Sequence, residues 1–176
     1  MKYFIATLLL FSVSSSSFAQ SKASIGMTTD EVKKIYPGME SNTYQQTITL
    51  SRTEDLYGID GTWGYRFEGD KLNWIHFDKY IDKINDKNFE KCLTATKQII
   101  SDYTRLYGNP DTTITGNTKF IDPYKEKHWG YDVLEARWKH HNGMKIKVEF
   151  TFMGGKGQYN FLVKINYFDK SYPYYD

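Results

Sequence analysis

Four histidines and one cysteine are the side chains of this 176-residue chain best suited to acid–base, nucleophilic or metal chemistry. None is set in a pattern that completes a reaction centre. His140-His141 is a neighbouring pair beside a turn. On a strand two such side chains point to opposite faces, so one metal ion cannot easily take both. His76 alternates with Trp74 and Tyr80 and could serve as a base, but spacing ties no acid or nucleophile to it. His128 beside Trp129 has the same deficit. Cys92 lies between Phe89 and Thr96 on an apolar helical stripe, the setting of a buried, inert thiol rather than an activated one. Asp55, Asp60 and Asp70 flank glycines without a regular calcium loop and are expected to be turn residues. Phosphate loops, dinucleotide fingerprints, nucleophile elbows and His-Glu-x-x-His are missing. The expectation is no catalytic residue, no metal site and no cofactor.

Recognition chemistry is better represented. Phe, Trp and Tyr make up 17% of the chain, with four Trp and fifteen Tyr. Trp63, Phe67, Trp138, Phe150 and Phe161 fall at core positions of alternating runs. Tyr57, Trp74, Tyr80, Tyr124, Trp129, Tyr131, Tyr172, Tyr174 and Tyr175 fall in loops, in the tail or on strand faces that can point outward. Tyr and Trp bury much area with few rotors to freeze, which is why they dominate binding surfaces. Trp74, His76, Tyr80, Tyr124, Trp129 and Tyr131 are the candidate partner-binding residues. Glu135, Arg137, Lys139, Lys145, Lys147, Glu149 and Lys164 are expected to form a solvated outer face with cross-strand ion pairs.

The elements that must position these residues follow from periodicity. Thr28 and Glu31 have capping-box spacing, and Pro37-Gly38 stops a short helix whose face is Val32, Ile35 and Tyr36. Tyr44 to Leu50 alternates as one strand. Trp63 to Phe67 and Leu72 to Tyr80 form a hairpin around Gly69-Asp70. Phe89, Cys92, Leu93, Thr96, Ile99, Ile100, Tyr103, Leu106 and Tyr107 mark a five-turn amphipathic helix. Its expected N-cap is Asn88, and Gly108-Asn109-Pro110 ends it. Asp111 to Tyr131 is a long loop, with or without a short edge strand. Leu134–Trp138, Met144–Phe152 and Tyr159–Tyr167 are three closing strands, the first two joined at Asn142-Gly143. The order is helix, three strands, helix, three strands. This predicts an α+β fold of two pseudo-repeated α-β-β-β units, about 25–84 and 86–168, forming an antiparallel sheet with helices on one face.

Met1-Lys2, an apolar run from Tyr3 to Val13 and Ser17-Phe18-Ala19 have the order of a secretory signal peptide cut near Ala19. Residues 20–176 then form a single domain that is periplasmic or secreted, with a loose, polar start from Gln20 to Ser24. The apolar run is too short to span a bilayer, and no transmembrane segment is expected. With 23 basic against 21 acidic side chains and no basic block, nucleic acid is not an expected partner. A hydrophobic content of 40% excludes a disordered chain. One cysteine excludes an internal disulfide framework.

Ile25-Gly26-Met27-Thr28-Thr29-Asp30-Glu31-Val32 resembles the Gly-Met-[Ser/Thr]-x-x-[Asp/Glu]-Val opening of a superfamily of small envelope proteins. That superfamily includes the SmpA/OmlA-type outer-membrane assembly lipoproteins and the β-lactamase inhibitor proteins. The resemblance implies a secreted helix-plus-antiparallel-strand unit, which in the inhibitors is present as tandem copies whose sheet surface grips a partner. This chain lacks the lipid-bearing cysteine of the lipoproteins and the disulfides of the inhibitors, and its second half lacks a Gly-Met-Thr opening. The expectation is a non-catalytic interaction protein of the bacterial envelope with a protein partner. A secreted hydrolase acting on envelope polymers and a periplasmic immunity-type protein are the alternatives.

Overall fold

The computed structural model describes residues 20–126, 130–141, 143–155 and 158–171. Helix α1 (Thr29–Ile35) opens with the expected capping box. Thr28 accepts from the Glu31 amide, and the Glu31 carboxylate accepts from the Thr28 amide at 2.7 Å. Asp30 and Glu31 occupy its first turn and Lys33 and Lys34 its last, each where the helix dipole favours that charge. Four strands follow: β1 (Glu40–Tyr44), β2 (Thr47–Leu56), β3 (Ile59–Glu68) and β4 (Lys71–Ile81). The long helix α2 (Asp86–Tyr107) comes next. After it come β5 (Thr112–Thr115), the one-turn helix α3 (Pro123–Glu126), β6 (Gly130–His141), β7 (Met144–Gly155) and β8 (Gln158–Asp169). No helix among the described residues is long and apolar enough to cross a membrane.

All eight strands join one antiparallel sheet in the order β1-β2-β3-β4-β8-β7-β6-β5. The fold is therefore α+β, with eight strands where the alternation predicted six. Tyr44 to Leu50 is not one strand. Tyr44 ends β1, and Gln45-Gln46 turns the chain back so that Tyr44 pairs with Thr47. Gln45 takes φ +55°, a conformation with no glycine to announce it. Tyr57 and Gly58, both at positive φ, make the β2–β3 turn. The Asp55 carboxylate accepts from the Gly58 amide at 2.8 Å. The second edge strand is β5, which lies within the predicted long loop.

The core lies on the helix side. Trp63, Tyr65 and Phe67 of β3, Ile75 and Phe77 of β4, Val148, Phe150 and Phe152 of β7 and Phe161, Val163, Ile165 and Tyr167 of β8 are buried there with Trp138. Helix α2 crosses β6, β7 and β8 and reaches β3. It sets Phe89 against Phe150 and Phe161 with ring centroids 5.3 and 5.7 Å apart, and Tyr103 against Trp138 and Tyr167. Burial of each such ring stabilises by about 1.5–3 kcal/mol. The N-cap of α2 is Asn85, not Asn88. Asn88 is three residues inside, and its amide donates to the Asn85 side chain at 2.8 Å. Both residues suit a cap, and periodicity alone did not separate them. Leu106, counted in the stripe, is exposed.

Helix α1 shares the same face, with Val32 fully buried and Tyr36 against Tyr65 at 5.5 Å. The segment before it is not loose. The Gln20 amide donates to Tyr107 Oη, the Lys22 backbone to Tyr36 Oη at 2.6 Å, and Ser21 and Ala23 are buried. Gly26 and Met27 then bond to Leu72 of β4, the Gly26 amide donating to the Leu72 carbonyl at 2.7 Å and the Leu72 amide to the Met27 carbonyl at 2.8 Å. Tyrosine hydroxyls lining the crevice satisfy a polar segment that composition alone marked as solvated. The predicted leader, residues 1–19, lies outside the described residues.

Candidate binding face

On its other face the sheet carries no described helix. Strand register sets its side chains in rows. One row runs Thr53, Thr62, Asp78, Lys164, Glu149 and Glu135 across β2, β3, β4, β8, β7 and β6. The next runs Ser51, Gly64, His76, Asn166, Lys147 and Arg137, and the third Thr49, Arg66, Trp74, Phe168 and Lys145.

Trp74 sits at the middle of this face and is held on several sides. Its indole N–H donates to Asn166 Oδ1 at 3.1 Å. Phe168 stacks on it at 5.7 Å and 13°, and the His76 ring lies 4.4 Å away. Lys164 Nζ and the Arg66 guanidinium stand 5.4 and 5.9 Å from the indole centre. A β-bulge next to Trp74 leaves Asn73 without a cross-strand partner, and Asn73 donates to Glu68 at 3.0 Å. Thr47, Arg66, Glu68, Asn73 and Trp74 line a shallow hollow there.

His76 rests on Gly64. A Cβ at Gly64 would fall well inside contact distance of Cε1 and Nε2 of the imidazole and 3.2 Å from Cδ2. The ring faces Asp78, its Nε2 3.4 Å from Oδ2, while Nδ1 is buried without a hydrogen-bond partner among the described residues. Burial pulls the imidazole below its ordinary pKa, and the charges of Lys164 and Arg66 act in the same sense against the pull of Asp78. His76 is thus a ring wedged between Trp74 and a carboxylate, with its charged form disfavoured by burial.

Beside this cluster lies an ion lattice. Glu135, only 3% exposed, accepts from Arg137 and from Lys147 at 2.9 Å, and Lys147 reaches Glu149 at 2.7 Å. Burial alone would lower the Lys147 pKa, but hydrogen bonds and charge from Glu149 and Glu135 hold it above the ordinary lysine value. Cross-strand ion pairs were expected here. The solvated setting was not found for Glu135 or Lys145, which are buried.

Of the six predicted binding residues, Trp74, His76 and Tyr80 share this face, with Tyr80 paired to Leu162 and 53% exposed. Tyr124 and Tyr131 lie on the helix side. Tyr124 packs on Tyr159 at 5.0 Å, and Tyr131 pairs with Phe152, whose ring lies 5.3 Å away. They cannot form one surface with Trp74, because the sheet stands between them. Trp129, His128 and the tail tyrosines Tyr172, Tyr174 and Tyr175 lie outside the described residues, as do the side chains of His140 and His141. Arg66, Asn166 and Phe168 were not anticipated. Phe168 carried a signal all the same. With Leu162 it is apolar at the phase of β8 opposite Phe161, Val163, Ile165 and Tyr167, which marks an apolar group on the outer face.

Cys92 is on α2, across the sheet from His76, and burial pushes its thiol up to about 12. Among the described residues no group of three or more His, Cys, Asp and Glu is placed to hold a metal ion. Compared with protein-family models, curated proteins and solved structures, the chain finds no match in any of the three.

Proposed function

We propose that this chain is an exported, non-catalytic binding protein of the bacterial envelope, released by cleavage near Ala19, that grips a protein partner with the helix-free face of its sheet. One observation carries the reading. An aromatic pair, Trp74 on Phe168, sits mid-sheet on the face opposite both long-range packing helices, fixed by Asn166 and flanked by cations. Rigid aromatics among polar neighbours are the composition of a binding hot spot. The helix-plus-strands order of each half, the resemblance of Ile25–Val32 to the envelope superfamily and the mirrored strand order about β4–β8 support descent from a duplicated unit of that kind. The hydrolase alternative leans on the His76–Asp78 pair, but Cys92, the nucleophile considered for this chain, is on the opposite side of the sheet.

The test is capture from envelope extract on immobilised protein, identification of the retained species, and rebinding of that species after purification. Trp74→Phe and Tyr80→Ala should each weaken rebinding about fivefold or more. Lys97→Ala, on the exposed side of α2, should leave it unchanged. Equal loss in all three variants, or none in the first two, would overturn the proposal.

A further inference from the structure

Resting on that reading, we propose that the partner meets this face with an acidic loop, one carboxylate of which seats between Arg66 and Lys164 at the edge of Trp74. The register rows grade in charge along the strand direction. The row through Asp78, Lys164, Glu149 and Glu135 carries three carboxylates and one ammonium. The row through His76 carries Lys147 and Arg137, and the row through Trp74 carries Arg66 and Lys145, with no carboxylate in either. The acids of this face are engaged: Glu135 and Glu149 hold Lys147, Asp78 faces His76 and Lys164, and Glu68, beside Arg66 in the hollow at Trp74, accepts from Asn73. Arg66 is exposed and makes no ion pair among the described residues, and Lys164 reaches only Asp78, at 3.6 Å. Both cations already stand within 6 Å of the indole centre. A carboxylate there gains two charges, while a neighbouring apolar group of the same loop packs on the Trp74 indole. A basic loop would meet the same pair of cations and be repelled.

The probes are the blocked peptides Ac-Gly-Glu-Phe-Glu-Gly-NH2, its Gln counterpart and its Lys counterpart, titrated into 15N-labelled protein. The Trp74 indole N–H signal, assigned by its loss in Trp74→Phe, is the readout. The acidic peptide should shift it saturably and bind about fivefold more tightly than the Gln peptide. That advantage should vanish in Arg66→Gln/Lys164→Gln and shrink between 50 and 500 mM NaCl. Equal binding of the three peptides, an advantage that survives the double substitution, or no shift by any of them overturns the inference. So does binding to phosphatidylglycerol vesicles by a protein that ignores the acidic peptide. A partner still lost on Trp74→Phe while the peptides fail would remove the acidic loop and leave the binding face standing.

Discussion

Gly64→Ala is the substitution whose sign the structure decides most sharply. Gly64 lies in β3 with ordinary extended backbone, so alanine is conformationally allowed there. With open space above it, Gly→Ala in a strand stabilises by about 0.5–1 kcal/mol, because the unfolded chain has fewer states to lose. The space is not open. The new methyl would overlap two atoms of the His76 ring. That ring cannot swing away cheaply, since it lies against Trp74 at 4.4 Å and beside Asp78. Overpacking of this kind costs about 1–3 kcal/mol, and it outweighs the backbone gain.

In a His76→Ala background the ring is gone, and the same substitution should become stabilising by about 0.5–1 kcal/mol. The backbone gain cancels between the two backgrounds, so the coupling equals the overpacking cost, about 1–3 kcal/mol, within the range for residues in contact. Urea denaturation of the native protein, both single variants and the double variant measures it, with the near-ultraviolet circular dichroism of Trp74 reporting displacement of the ring. A Gly64→Ala protein at least as stable as the native one, or a double variant showing no reversal of sign, would refute the placement of His76 on Gly64.

His76, Cys92 and the segment before α1 each fix a further outcome. Because the folded-state pKa of His76 lies below its ordinary 6.5, the unfolded chain takes up the proton first. The stability this ring contributes is whole above about pH 6.5 and is lost as pH falls through the folded value, so the urea midpoint should drop from pH 7.5 to 5.5 more in the native protein than in His76→Gln. Cys92, fully buried and with its thiol pushed up to about 12, should resist iodoacetamide at pH 8 in the folded protein and react at once in 8 M urea. Deleting residues 20–24 removes the Gln20 and Lys22 bonds to Tyr107 and Tyr36 and the burial of Ala23. It should destabilise by about 2 kcal/mol at net bond values near 1 kcal/mol each, measurable as a lowered urea midpoint with an unchanged slope.

What the sequence disclosed depended on how far apart in the chain the deciding groups lie. The α1 cap is settled within four residues, Thr28 to Glu31, and the stripe of α2 within its own turns, so both were readable. The Gln45-Gln46 turn was not, because a two-residue hairpin preserves the alternation of polar and apolar positions across it and nothing in the residue types interrupts the pattern. Gln20 to Ser24 was misjudged for a related reason. Its composition is that of a solvated end, and only the folded chain supplies the tyrosine hydroxyls from α1, β3 and α2 that receive it.

The binding face is the extreme case. Trp74 and Asn166 are 92 residues apart, and their hydrogen bond exists because β4 pairs with β8 rather than with any neighbour in the chain. The same pairing puts Phe168 on Trp74 and Lys164 beside Asp78. Alternation could say that Trp74 faces away from Ile75 and Phe77, and the structure agrees. It could not say which second strand would complete the surface, since every antiparallel order of these strands satisfies the same period of two. Tyr124 and Tyr131 show the converse: their residue types suited the surface, but the topology that brings Phe168 to Trp74 sends them to the helix side. Membership of this face is therefore decided by the β4–β8 register. A substitution that slips that register by one residue would carry Lys164, Asn166 and Phe168 to the core side together, which makes the face and the core a single cooperative choice.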